Sequence, residues 1–229
     1  MSGDAVDAGR GSPRSKSTDP LSRHTDYGQT PLTEAEILRD PFAQARLWLD
    51  QAAESGVYEP NAMVLSTIDP DGLPSSRTVL LRSLDAERGL EFFTSYTSAK
   101  GRALMAHPEV SIVFPWYLIH RQIIVRGVAA PVDPEVSDAY FASRPRGSQI
   151  AAAASDQSAP IASRELLEAR VSELEALYEG GAVPRPATWG GFRVIPNSVE
   201  FWQGRSSRMH DRLRFSRTES GWDLTRLQP

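Results

Sequence analysis

The 229-residue sequence contains no cysteine. That removes thiol nucleophiles, zinc–thiolate and iron–sulfur sites and disulfides from the chemistry open to it. It also lacks any apolar run near the roughly 20 residues that a membrane-spanning helix needs. The longest, Ile112 to Ile119, is interrupted by a proline and reads as a buried strand. No apolar segment of a secretory signal opens the chain, so a cytoplasmic location is expected. Positive charge is not in excess either: 25 Lys and Arg against 29 Asp and Glu leave a formal net charge of -4. General binding to nucleic acid or to a membrane surface requires a basic face, so neither partner is expected, and any basic site must be local. Gly-x-Ser-x-Gly, the Walker phosphate loop and Gly-x-Gly-x-x-Gly are all missing, as is an acidic ligand pattern around the histidines, so no metal is expected. A chain without these has to borrow its reactivity, and redox chemistry then points to an organic cofactor such as a flavin.

What is present is ordinary globular material, 40% hydrophobic and 24% charged, enough for one domain plus a tail. Met1 to Pro20 has almost no large apolar side chain and is expected to be disordered. Asp40-Pro41 supplies an N-cap and first-turn proline for an amphipathic helix carrying Phe42, Ala45, Trp48, Leu49 and Ala52, stopped at Gly56. From Ala62 the pattern becomes that of short strands: Ala62 to Ile68, Thr78 to Leu84, Leu90 to Thr94, Val110 to Trp116 and Gln122 to Ala130. Asp69-Pro70-Asp71-Gly72 predicts a hairpin turn between the first two. Short helices are predicted from Lys100 to Ala106 and from Asp133-Pro134 to Phe141, and a longer one from Ser163 to Tyr178. Gly191 to Ile195, Val199 to Gln203 and Leu213 to Phe215 paired with Trp222 to Leu224 complete a mainly β fold with flanking α-helices, of α+β class.

Four stretches carry candidate chemistry, the first two with an ordinary alternative. Arg77 and Arg82 end a β-branched and leucine run, where alternation would send them to opposite faces; flanking surface charges would look the same. Ser98-Ala99-Lys100-Gly101 suits an anion site at a helix N-terminus, or a plain cap. Tyr140 and Arg144, four apart, would share a face of a last helical turn, with Ser143, Arg146, Ser148 and Gln149 beside them. Hydroxyls and guanidiniums together suit phosphate, whose oxygens accept the paired hydrogen bonds of the arginine fork. Glu200 to Arg212 holds three arginines, a histidine and a tryptophan; if extended, it would put Arg208, His210 and Arg212 on one face.

Taken in order, these stretches resemble the pyridoxine/pyridoxamine 5'-phosphate oxidases. The resemblance runs from about Glu59 to Arg226-Leu227-Gln228-Pro229, anchored by Arg77-Thr78-Val79-Leu80-Leu81, Phe92-Phe93-Thr94-Ser95, Arg121-Gln122, Ser143 to Gln149, Gln157-Ser158, Trp189 to Arg193 and Glu200 to Arg205. It implies a homodimeric FMN-binding split β-barrel with FMN at the subunit interface. Residues 21–60 would be an N-terminal lid segment and helix, and residues 61–229 the oxidase domain with its C-terminal dimerisation region. The resemblance assigns cofactor contacts to Arg77, Thr78, Val79, Leu80, Leu81, Arg82, Phe93, Thr94, Lys100, Gln122, Gln157, Ser158, Trp202 and Arg212. Arg82, Tyr140, Arg144 and Ser148 would hold the substrate phosphate, with Arg208 and His210 at the pyridine ring beside the reacting carbon. The implied reaction oxidises pyridoxamine or pyridoxine 5'-phosphate to pyridoxal 5'-phosphate, with hydride passing from C4' to the flavin and O2 leaving as H2O2.

Some positions depart from that family's pattern: Arg82 stands where lysine is usual, Ala99 where arginine is usual, Ala151 to Ala154 where a tryptophan-containing segment is usual, and His24 where arginine is common. They keep two alternatives in view. One is a flavin-dependent oxidase of phenazine-type secondary metabolism on the same fold; the other is a non-catalytic flavin-binding module, which would have no need of Tyr140, Arg144, Ser148, Arg208 and His210 together.

Overall fold

The structure, a computed structural model, describes residue 21 and residues 25–229. The tail from Met1 to Pro20, and His24, lie outside the described residues. Helix α1 (Pro41–Glu54) begins as its sequence requires, the Asp40 carboxylate accepting the Phe42 N–H at 2.9 Å, and it buries Phe42, Trp48 and Ala52. Strands β1 (Ala62–Ile68) and β2 (Pro74–Leu80) form the expected hairpin, with Gly72 at a φ of +84° closing the turn. There follow β3 (Ser83–Asp85), β4 (Gly89–Ser95), α2 (Ala99–Ala106), β5 (Glu109–Trp116) and β6 (Arg121–Pro131). Helices α3 (Pro134–Ser143), α4 (Arg146–Ala154) and α5 (Arg164–Leu177) precede β7 (Trp189–Gln203), β8 (Asp211–Thr218) and β9 (Gly221–Leu227).

All pairings are antiparallel, in the order β2-β1-β5-β6-β7-β4-β3, with β8 and β9 added along β7. The two ends of that path, β2 and β3, are neighbours in sequence, joined only by Leu81 and Arg82. So short a link forces the sheet to curl until its edges approach without pairing, which makes a barrel with a split. The two linking residues face both ways: the Leu81 N–H bonds the Asn61 carbonyl beside β1, and the Arg82 N–H bonds the Glu91 carbonyl of β4. Phe92, Phe192, Phe201 and Phe215 fill the barrel, each fully buried and each contributing on the order of 2–3 kcal/mol. A second cluster, Phe141, Ile150, Val183 and Trp189, joins α3 and α4 to the barrel. No helix among the described residues is long and apolar enough to cross a membrane.

Three expectations change. The strand expected from Thr78 to Leu84 is β2 and β3 with the split between them, because Leu81 and Arg82 bond to different partners. The two short runs around Pro196 are one long β7, and the proline, which has no N–H to give, is accommodated by a register shift between Arg126 and Gly127 on β6. The stretch from Arg146 to Ala154, for which no element was expected, is helix α4, preceded by Pro145 and without a side-chain cap.

Candidate active site

Beside the split lies a cleft of about 490 Å³, walled on the sheet side by Thr78, Val79, Leu80, Arg82, Phe93, Thr94 and Lys100. The helical side supplies Tyr140, Arg144, Ala151, Ala152, Gln157 and Val171, with no carboxylate in the lining. Lys100 is placed by α2, whose first turn is capped by Ser98 accepting the Gly101 N–H. Its amine lies 3.3 Å from Thr94 Oγ1 and 3.2 Å from Gln157 Oε1, while the Thr94 hydroxyl donates to Gln157 at 2.9 Å. Burial, and then the nearby Arg77, push the Lys100 pKa down. Arg77 itself donates to Thr67 Oγ1 at 2.7 Å and to the Leu65 carbonyl. Leu81 turns its side chain into the barrel core. Ser158 follows Gln157 in a left-handed conformation, φ 72°.

The aromatic floor is a stack of Phe93 on Tyr140, centroids 3.9 Å apart, continued by Trp189. Phe93 can lie there because β7 passes beneath it at Gly191, where a Cβ would come within 2.8 Å of that ring. Arg82 sits over Tyr140, and Arg144 lies 4.8 Å above the Trp189 ring. The spacing argument for Arg144 fails while its result stands: α3 ends at Ser143, because a residue before proline avoids the helical region, yet Arg144 still enters the cleft. Burial lowers its pKa, with repulsion from Arg82 opposed by Tyr140. Its Nη1 is buried and has no hydrogen-bond partner among the described residues. Three cations lining a carboxylate-free cleft, Arg82 and Arg144 repelling each other and Lys100 repelled by Arg77 behind it, with an orphaned donor on Arg144, fit phosphate groups. Ser148, half-buried in the first turn of α4, is outside the cleft lining.

The remaining candidates gather elsewhere. Gln122 on β6, Trp202 on β7 and Arg212 on β8 are paired across the sheet in one row. Arg212 Nε bonds Glu200 at 2.7 Å. Arg208 and His210 lie in the adjoining loop, but the run is not extended: Ser207 and Arg208 are left-handed, φ 57° and 61°, so the proposed single face does not exist. His210 is held by its ring, which lies 4.6 Å from Trp202 and 5.7 Å from Tyr27. Burial and the neighbouring Arg208 lower its pKa. Thr94 pairs with Gly190 and Gln122 with Trp202, so the two clusters occupy opposite ends of β7, up to roughly 40 Å apart along the strand at about 3.3 Å per residue.

Sequence reasoning noted Ala151 to Ala154 as a departure from the family pattern but missed that Ala151 and Ala152 wall the cleft together with Leu167 and Val171, since apolar residues carry no chemical signature. It also passed over Asp211, although a carboxylate flanked by His210 and Arg212 was visible.

Residues 49–178 match the family model described as pyridoxamine 5'-phosphate oxidase, and residues 189–229 match the pyridoxine 5'-phosphate oxidase C-terminal dimerisation region. The pyridoxine/pyridoxamine 5'-phosphate oxidase of Rubrobacter xylanophilus is 52% identical over 89% of this chain and 94% of its own length. That of Thermobifida fusca is 49% identical over 93% of this chain and 99% of its own. Among solved structures, PhzG from Burkholderia lata 383, in complex with tetrahydrophenazine-1-carboxylic acid, is 35% identical with a TM-score of 0.83, covering 89% of this chain and 100% of that one. The family model alone spans more than half of the sequence, and the chain belongs to the pyridoxamine 5'-phosphate oxidase family.

Proposed function

We propose that this protein is an FMN-dependent oxidase converting pyridoxamine or pyridoxine 5'-phosphate to pyridoxal 5'-phosphate, with O2 reduced to H2O2 in the cytoplasm. The observation that carries it is the carboxylate-free cleft lined by Lys100, Arg82 and Arg144, with Arg77 close enough to Lys100 to repel it and Arg144 Nη1 unpartnered among the described residues. Two anionic ligands are needed to balance it, and this reaction brings two: the phosphate of the cofactor and that of the substrate. Arg77, Lys100, Gln157 and Ser158 hold the cofactor's phosphate and ribityl chain, with Thr78, Val79, Leu80 and Phe93 along its bed and Leu81 offering its backbone there. Arg82, Tyr140, Arg144 and Ser148 hold the substrate's phosphate. When bound, FMN supplies the two-electron redox chemistry and its link to oxygen. The chain supplies position: Arg208 and His210 orient the substrate ring, and the Phe93–Tyr140–Trp189 stack and the alanine wall exclude water.

The site in this reading is shared by two copies. Thr94, paired with one end of β7, and the Gln122–Trp202–Arg212 row at the other end would meet one flavin only if a second chain brought its row to the first chain's cleft. The match of residues 189–229 to a dimerisation region supports this, as does Arg214 on the same face as the row, its buried Nε unpartnered among the described residues. Residues 21–60 act as lid segment and helix beside residues 61–229.

Oxygen uptake and peroxide release by FMN-loaded protein test the reading. Turnover of the two vitamin phosphates, with far less of unphosphorylated pyridoxamine, is expected. The likeness to PhzG gives the second reading a place in the same panel: turnover of a phenazine precursor and of neither vitamin phosphate would replace the first reading by it.

A further inference from the structure

Ser207 and Arg208 are both left-handed, a conformation that strains a side-chain-bearing residue and persists only where the surroundings overdetermine it. The surroundings converge on Asp211. Its carboxylate, 12% exposed, accepts the Leu32 N–H at 3.1 Å and Arg205 Nη1 at 3.1 Å on Oδ2, and Arg226 Nη1 at 2.6 Å on Oδ1. Burial raises the Asp211 pKa, but these three donors outweigh it and keep the group ionised. Arg205, anchored this way, turns its backbone N–H onto His210 Nδ1 at 3.1 Å. A neutral imidazole whose Nδ1 accepts must carry its proton on Nε2.

The same carboxylate reaches the N-terminal segment. Arg226 grips Glu34 with Nε at 2.7 Å and Nη2 at 2.8 Å, and its Nη2 also meets the Leu32 carbonyl at 2.9 Å. Further along that segment, the Ser206 hydroxyl donates to Asp26 at 2.6 Å, and Tyr27 lies against His120, Trp202 and His210. Residues 26–34 therefore lie over the loop that Asp211 supports from below.

We propose that Asp211 is a positioning residue. Through Arg205 it holds the Ser207–Arg208 turn and presents His210 as an Nε2–H donor toward an acceptor atom of the substrate ring; through Arg226 it latches residues 26–34 over that loop. His210 then orients the ring by donating a proton in a hydrogen bond, and it does not act as a base. The inference rests on the reading of Arg208 and His210 as substrate-facing.

The experiment uses FMN-loaded protein with ¹⁵N-labelled histidine, the His210 signals being assigned among the four histidines by loss in His210→Gln. Wild type should show a protonated Nε2 and a bare Nδ1. Asp211→Asn, which keeps the shape and removes the charge, should give a tautomer mixture and lower kcat/KM roughly ten- to a hundredfold with flavin content unchanged. Glu34→Gln should keep the tautomer and kcat while raising KM, since it loosens only the latch. An unchanged imidazole spectrum with kcat/KM within about twofold of wild type in Asp211→Asn overturns the proposal. Parallel loss of flavin and melting temperature overturns it in favour of a purely structural role. If wild type oxidises neither vitamin phosphate, the proposed function falls, and the NMR comparison still decides whether Asp211 sets the tautomer.

Discussion

Pro145 decides where Arg144 points. By keeping its predecessor out of the helix, it turns a side chain that would have continued α3 into one lying over Trp189 with a buried, unpartnered nitrogen. Arg144→Ala should therefore lower kcat/KM for pyridoxamine 5'-phosphate roughly ten- to a hundredfold, the worth of a hydrogen bond to a charged group, while barely changing turnover of unphosphorylated pyridoxamine. Steady-state kinetics on both substrates checks this, and equal loss on both would remove Arg144 from the phosphate. His210 makes a prediction in pH. Its folded pKa lies below the ordinary 6.5, held down by burial and by Arg208, so the neutral donor form persists as pH falls through that value. Any His210-dependent loss in the pH profile of kcat/KM should have its midpoint below 6.5; a midpoint above it would mean the ring is protonated more readily than its surroundings allow. Residue types and their grouping were readable in the sequence at this scale. Direction was not, because the left-handed Ser207 and Arg208 are set by tertiary neighbours that alternation does not see, and the extended Arg144 by Pro145, which helical spacing leaves out.

Among the elements, β1, α1, α2 and the turn before β2 were legible because local chemistry defines them: Asp40 and Ser98 cap, and Asp69 to Gly72 turns. Helix α4 was not, since its alanines look featureless until Ile150 and Ala154 are buried against the barrel. The latch between β9 and the N-terminal segment makes a prediction in acid. The hydrogen bond from Arg226 lowers the Glu34 pKa from 4.5 to about 2. A carboxylate with a depressed folded pKa stabilises the docked segment above its unfolded value, and that contribution is lost as pH falls from 4.5 toward 2. Hydrogen exchange at the Leu32 amide, corrected for its intrinsic pH dependence, should lose protection across that window and more readily at high salt. A second prediction concerns β7, where a Cβ on Gly190 would stand 2.0 Å from Tyr96 Oη and 2.9 Å from Ser137 Oγ. Gly190→Val should destabilise by roughly 1–3 kcal/mol, seen as a melting temperature lower by about 2–4 °C for each kcal/mol.

For the whole molecule, a shared site can be tested by mixing. If each site takes Lys100 from one chain and Arg208 from the other, Lys100→Ala and Arg208→Ala homodimers should both be nearly inactive. Unfolding and refolding the two together should then restore about a quarter of wild-type activity, because half of the random dimers carry one intact site. No recovery would place both residues of a site on the same chain. The sheet's order has a consequence of another kind, for synthesis on the ribosome. The outer edge of β4 and one edge of β6 are both completed by β7, whose pairing with Leu90 involves Val194, on the order of a hundred residues later. The barrel's ends are thus made first and its middle last. Until β7 emerges, the nascent chain carries two open strand edges beside Phe92 and Ile123, the exposed pairing surface that invites neighbouring chains to join. Release from the ribosome before Gln203 would leave a sheet in two halves with both of those edges still open.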